Sequence, residues 1–289
     1  MLLASRRVDS LKQALHAQLD KALETGARAD DHSVHDVRKE LKRARATLRL
    51  MRVAMGDVQY RDANHRLRDA ARPLRPSRDA AALLKTLDDV ARRDDKESLK
   101  SLTDRLRRQL QQDRRPARGG TGHRGRRLDA DKIRKVERQV EGLSMRQNDA
   151  RSARRGIKKS YRNGHRAFAM ACLDPSDFLL HEWRKQAKYL ANELELARGL
   201  LQLGFKKSHR RATKLASALG DDHDLASLRD KLSELQGSVT TPREVRSLKK
   251  LQRRIARKRR KLQAKAYRRG GKLYGDSVRK IGARLKDEL

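Results

Sequence analysis

The stretch that most restricts the fold is SVHDVRKELKRARATLRLMRVAM, residues 33–55. Val34, Val37, Leu41, Ala44, Leu48, Met51 and Met55 recur in steps of three and four, which places them on one face of a helix. His35, Arg38, Lys42, Arg45, Arg49 and Arg52 repeat the same steps one residue later, forming a basic stripe about 100° round the axis. Like charges stacked a turn apart repel by about 0.2–0.5 kcal/mol per pair. Such a row is either a solvated face or one wall of a site for an anion.

A second copy favours the anion. Residues 178–201, FLLHEWRKQAKYLANELELARGLL, repeat the order H-x-x-R-K-x-x-K, with His181, Arg184, Lys185 and Lys188 standing where the first copy has His35, Arg38, Lys39 and Lys42. The apolar stripe recurs in Leu180, Trp183, Ala187, Leu190, Leu194, Ala197 and Leu201. Downstream, residues 73–84 align with 218–229, each bringing an aspartate, Asp79 or Asp224, to the start of a new helical pattern. Repetition of this order points to an internal duplication.

Charge narrows the partner. The 289 residues carry a formal charge of +37, far beyond what solubility needs, so the chain pays in self-repulsion and implies a polyanion as counterpart. Nucleic acid, inorganic polyphosphate and anionic lipid surfaces qualify. Only 3% of residues are aromatic, so leucine and alanine must fill the core, as in helix bundles, and stacking platforms for single strands are disfavoured. The single cysteine, Cys172, rules out an intramolecular disulfide or a cysteine metal cluster, and fits a reducing, cytoplasmic setting. No apolar run approaches a membrane span.

The rest of the chain reads as helix without strand alternation. Arg6–Thr25, Val58–Arg72, a helix from Ser77 or Asp79 to Val90, and Asp94–Gln112 complete a first half over residues 1–113. A basic glycine-rich linker, RRPARGGTGHRGRR, dominates residues 114–130. The second half, 131–289, adds helices over Ala150–Leu173, Phe205–Leu219 and Leu225–Leu235. Gly220-Asp221-Asp222-His223-Asp224 is read as a turn between the last two. A last long helix opens at Thr241-Pro242 with an expected break at Gly270-Gly271. Its core side is Val245, Leu248, Leu251, Ile255 and Leu262; its basic side is Arg246, Lys250, Arg253, Arg257 and Arg260.

The two histidine motifs, with Tyr161-Arg162-Asn163-Gly164-His165-Arg166 before the second and Leu273-Tyr274 near the end, make the chain resemble the CHAD domain, a histidine-containing α-helical domain. The resemblance implies an all-α fold: two pseudo-twofold-related bundles of about four long helices each, around a basic central cleft that binds inorganic polyphosphate. It carries over to His35, Arg38, Lys42 and Arg45 in the first motif and His181, Arg184 and Lys188 in the second. With them we group Lys39, Arg49, Arg162, Arg166, Lys185, Lys207, Arg210, Arg211, Lys214, Lys250, Arg253 and Arg257 as the expected polyphosphate-binding set. The second copy departs at Ala191 and Glu195, where the first has Arg45 and Arg49, which predicts tighter binding by the first half.

Arg and Lys at short, regular spacing suit a polymer without bases: the arginine fork matches phosphate oxygens, and helical turns place successive cations about 5 Å apart. His35 and His181 are expected to gain a proton beside phosphate as pH falls. Tyr161 and Tyr189 either donate to phosphate or pack. Asp79 and Asp224 are read as helix caps. No nucleophile triad, glycine-rich phosphate loop or metal-ligand motif is present, so the expectation is a binding protein without catalytic residue, metal or cofactor. Nonspecific nucleic acid is the alternative partner, and attachment to polyphosphate granules a further expectation.

Overall fold

The computed structural model describes residues 10–27, 31–74, 76–91, 97–114, 128–143, 149–201, 204–234 and 241–287. They form α1 (Ser10–Gly26), α2 (Asp31–Met55), α3 (Asp57–Ala70), a 3-10 turn (Arg72–Leu74), α4 (Pro76–Ala91), α5 (Glu97–Arg114), α6 (Ala130–Glu141), α7 (Asp149–Leu173), α8 (Asp177–Leu201), α9 (Lys206–Glu234), α10 (Pro242–Tyr274) and α11 (Val278–Asp287). No strand occurs among the described residues, and none of their helices is long and apolar enough to cross a membrane. The fold is all-α. The arginine-rich linker lies outside the described residues, as do the side chains of Ser77 and Asp79.

Two apolar clusters hold the helices. The larger takes the predicted stripes of α2 and α8 and joins them to α1, α3, α6, α7 and the near half of α9. α2 packs directly on α8, so the two histidine helices meet at the centre. The smaller cluster, Leu87, Val90, Leu106, Leu110, Leu225, Leu228, Leu232, Leu248, Leu251 and Ile255, binds α4 and α5 to the far half of α9 and the near half of α10. Packing therefore crosses the linker in both directions: α6, which follows it, rests on α3 and α1, whereas α4 and α5, which precede it, rest on α9 and α10.

Four local expectations are corrected. Gly220–Asp224 is not a turn; α9 runs through it unbroken. Apolar positions continue across it, from Leu215 and Leu219 to Leu225 and Leu228, and Asp222 is buried rather than solvated. Asp224 accordingly lies inside the helix and caps nothing. The first half does break at the equivalent place, because Pro73 and Pro76 cannot donate helical hydrogen bonds. Nor does α10 break at Gly270-Gly271. Gly270 is where a helix must pass an aromatic knot: Phe168 and Trp183 have ring centroids 5.0 Å apart, Trp183 and Tyr267 5.5 Å. A Cβ built on Gly270 would lie 2.5 Å from Trp183 Cζ2 and 2.7 Å from Phe168 Cε2. Val245 is solvent-exposed rather than core. The expected start of α10 holds, with Thr241 and Glu244 forming a reciprocal capping box and Pro242 in the first turn.

Gly270→Ala is expected to lower unfolding free energy by about 1–3 kcal/mol by overpacking, despite alanine's better helix propensity. A shift of the urea midpoint to lower concentration at unchanged slope checks it.

Candidate anion-binding site

The first basic row keeps only part of its cations in the open. His35, Lys39 and Lys42 are exposed on α2. Arg38 Nη1 donates to the Leu74 carbonyl at 2.7 Å, which satisfies the end of the 3-10 turn. Arg45 is half-buried and donates through Nε to Asn64 Oδ1 at 2.9 Å; burial pushes its guanidinium pKa down, against the nearby Tyr189. Arg52 donates to Asp57 at 2.6 Å and lies 4.5 Å above the Tyr60 ring. Hydrogen bonding from Arg52, with the charge of Lys159, holds the Asp57 carboxyl down to about 2.

Arg49 leaves the row. Its Nε donates to Glu193 of α8 at 2.6 Å, its guanidinium lies 4.1 Å above the Tyr189 ring, and it is 7% exposed. Glu193 is wholly buried and also accepts from Ser160 Oγ of α7 at 3.0 Å. Burial raises the Glu193 carboxyl above its ordinary range, and Arg49 and Ser160 oppose that shift. Arg49 is thus a structural cation that ties α2 to α8, not a free phosphate ligand. Tyr189 is its shelf. Tyr161 also packs rather than facing an anion: its hydroxyl donates to the carbonyls of Leu273 and Asp276.

The second row faces α9. The His181 and His223 rings lie 4.7 Å apart, tilted by 56°. Burial first, then the charge of Arg184, holds both histidines below their ordinary pKa. This runs against the expected ready protonation of His181. Arg184 lies beside Gly220. The repeat alignment pairs Leu74 with Leu219, the neighbour of Gly220, so the two motif arginines reach nearby positions of their halves. Lys185 is paired with Glu182 at 2.7 Å, and Lys188 is half-buried. Ala191 is buried and Glu195 exposed.

The remaining predicted cations spread over three helices. Arg162 and Arg166 are exposed on α7, and Lys207, Arg210 and Lys214 on α9. Arg211 donates to the Lys272 carbonyl at 3.0 Å. Lys250, Arg253 and Arg257 are exposed on α10. That helix packs on α9, α5, α7 and α4, and its exposed face is the one opposite Leu248, Leu251 and Ile255.

Where α2, α3, α7 and α8 meet, a groove of about 580 Å³ opens, lined by Arg49, Arg52, Tyr60, Lys159, Asn163 and Tyr189 among others. Arg52, Tyr60, Lys159 and Glu193 were not among the predicted site residues. Glu193 was findable as a lone acid flanked by Leu190, Leu194 and Ala197. Arg259 was findable too, because it interrupts the apolar stripe between Ile255 and Leu262. It is buried, binds Asp222 through Nε at 3.0 Å, and also pairs with Asp177, locking α10 to α9 and to the start of α8.

The CHAD domain family model matches residues 13–233. No curated protein sequence matches the chain. Among solved structures, PptA from Streptomyces chartreusis superposes with a TM-score of 0.73 at 16% identity, covering 92% of this chain and 99% of that one. The crystal structure of the CHAD domain from the plant Ricinus communis gives 0.54 at 18% identity, covering 98% and 91%. At such identities the likeness is one of fold.

Two outcomes test this geometry. Glu193→Ala, which strands Arg49 in the interior, is expected to cost about 3–5 kcal/mol, whereas the apolar pair Arg49→Met with Glu193→Leu recovers most of it. Denaturant titrations of the three proteins check this. The histidine pair gives a pH signature. Both folded pKa values lie below the unfolded value near 6.5, so the unfolded chain binds more protons, and stability falls as pH drops below about 6.5. Urea midpoints between pH 7.5 and 5.5 should decline less in His181→Gln with His223→Gln than in the parent.

Proposed function

Because the chain belongs to the CHAD domain family, we propose that it binds inorganic polyphosphate and acts as a receptor without turning the polymer over. The observation that carries this reading is the presence of Arg52 of α2 and Lys159 of α7 in the wall of the groove between α2, α3, α7 and α8, with Arg45, Lys42 and Lys39 continuing the positive charge back along α2. Arg162 and Arg166 extend the exposed charge along α7.

A linear phosphate polymer has no bases to stack or edges to read, so it is recognised by charge and by guanidinium forks alone. It is flexible, and a groove walled by cations on several helices lets it be gripped on more than one side. Arg45 and Arg52 are held by Asn64 and Asp57 and by the Tyr60 ring, so less side-chain entropy is lost when phosphate arrives. Lys39 and Lys42, exposed on α2, extend the positive charge along that helix away from the groove. His181 and Arg184 lie at the α8–α9 seam, so the second motif contributes less than the first, in line with its loss of cations at Ala191 and Glu195. Attachment to polyphosphate granules in the cytoplasm follows from the same reading.

Lys39→Glu with Lys42→Glu is expected to weaken binding of long-chain polyphosphate at least tenfold at 0.15 M NaCl. By analogy with single-stranded nucleic acid, the logarithmic salt slope should fall by about 0.7 for each phosphate that is no longer neutralised. Fluorescence anisotropy with end-labelled polymer checks both. Equal affinity of parent and variant overturns the reading, and release of orthophosphate in the presence of Mg²⁺ or Mn²⁺ overturns the absence of turnover.

A further inference from the structure

We propose that the outer face of α10 is a second polyanion surface, separate from the groove, and that it fits the backbone of duplex nucleic acid. Arg246, Arg253, Arg257, Arg260 and Arg268 are all exposed and follow one another along this face. At about 1.5 Å per residue, Arg246 and Arg268 lie about 33 Å apart along the axis. The sole acid of α10, Glu244, sits in its first turn, 3.6 Å from Arg105 of α5, so no carboxylate of the helix itself neutralises the row. The opposite face is fixed by Leu248, Leu251 and Ile255 in the smaller core and by the buried Arg259–Asp222 pair. The row is therefore held in place and turned to solvent, with Arg260 also bordering a cleft beside Arg229 of α9.

Shape selects the partner. A flexible polymer gains most where cations surround it, as in the groove. A duplex is stiff over about 150 base pairs and cannot bend into a groove between helices, but it can lie against a straight exterior. It carries one negative charge per about 1.7 Å of axis, so a row of this length spans many phosphates. Lys249 and Lys261, also exposed, flank the arginines and diverge by about 120° round the axis, enough to reach the backbone on either side of a groove. Base reading is not provided for. Gln252 and Gln263 lie toward the packed side, and Gln263 donates to Asp222 at 3.1 Å. The one tyrosine of α10 before its last residue, Tyr267, donates to the Ala171 carbonyl. Binding is accordingly independent of sequence and strongly dependent on salt.

The test compares three proteins, each against a labelled 25-base-pair duplex and long-chain polyphosphate at 0.15 M NaCl. They are the parent, Arg253→Glu/Arg257→Glu/Arg260→Glu on α10, and Arg134→Glu/Lys135→Glu/Arg138→Glu on the exposed side of α6, which removes the same charge elsewhere. The α10 variant is expected to lose duplex affinity at least tenfold, and at least threefold more than either the α6 variant loses or the α10 variant loses for polyphosphate. Its duplex salt slope should fall by about 0.9 for each phosphate left unneutralised. Any other pattern overturns the proposal: a smaller loss, an equal loss in the α6 variant, or an equal loss for polyphosphate, which would make the face part of the polymer's own site. Should polyphosphate bind none of the proteins, the duplex comparison between α10 and α6 decides alone. The neutral variant Arg253→Gln/Arg257→Gln/Arg260→Gln, with unchanged thermal unfolding, guards against loss through misfolding.

Discussion

The buried pairing of Arg49 with Glu193 is the constraint on which the centre of the molecule depends. Two ions taken out of water lose several kcal/mol of hydration each, and their attraction compensates only when the remaining hydrogen-bonding capacity is met. Here that condition is met only in part: Ser160 gives Glu193 Oε1 a second donor and the Tyr189 ring faces the guanidinium, while Glu193 Oε2 is buried without a hydrogen-bond partner, in keeping with the raised pKa of the carboxyl. One ion pair thereby fixes α2, α7 and α8 against one another. It also holds the rotation of α2, with Arg45, one turn before Arg49, turned to Asn64 of α3.

A chain of charge +37 cannot pair its cations with carboxylates alone, and several go elsewhere. Arg38 reaches the carbonyl that closes the 3-10 turn, Lys12 that of Glu141 at the end of α6, Lys258 that of Asp89 in the last turn of α4, and Arg211 that of Lys272 in the last turn of α10. Helix C-termini carry unsatisfied carbonyls and partial negative charge, so each such bond both satisfies an acceptor and places a cation where the helix dipole favours it. Long helices thus absorb part of the positive excess. The remainder stays exposed, along α2, α7, α9 and α10.

The all-helical class and the apolar faces of α2 and α8 were legible because they rest on periodicity, which local sequence carries; helix number was not, since α9 and α10 run on where two helices each were expected. Reading failed where a residue's partner lies far along the chain. Asp222 looked like part of a turn because its stabilising arginine, Arg259, is a whole helix away. Gly270 looked like a break because the rings that need its missing side chain belong to α7 and α8. Arg49 looked like one cation among equals because the motif continues through it in register. Its removal from the row is set by Glu193, whose one hint was an acid among leucines.

The crossed packing on either side of the linker has a consequence for how the chain could have come from two copies. Because α6 completes the bundle of α1 and α3 while α4 and α5 lean on α9 and α10, neither stretch of sequence owns a whole interior. An ancestral single repeat would have had to close that interior with a sister molecule. Fusion of two such copies would turn a partnership between two polypeptides into an embrace within one, leaving the copies free to drift apart in what their charges do.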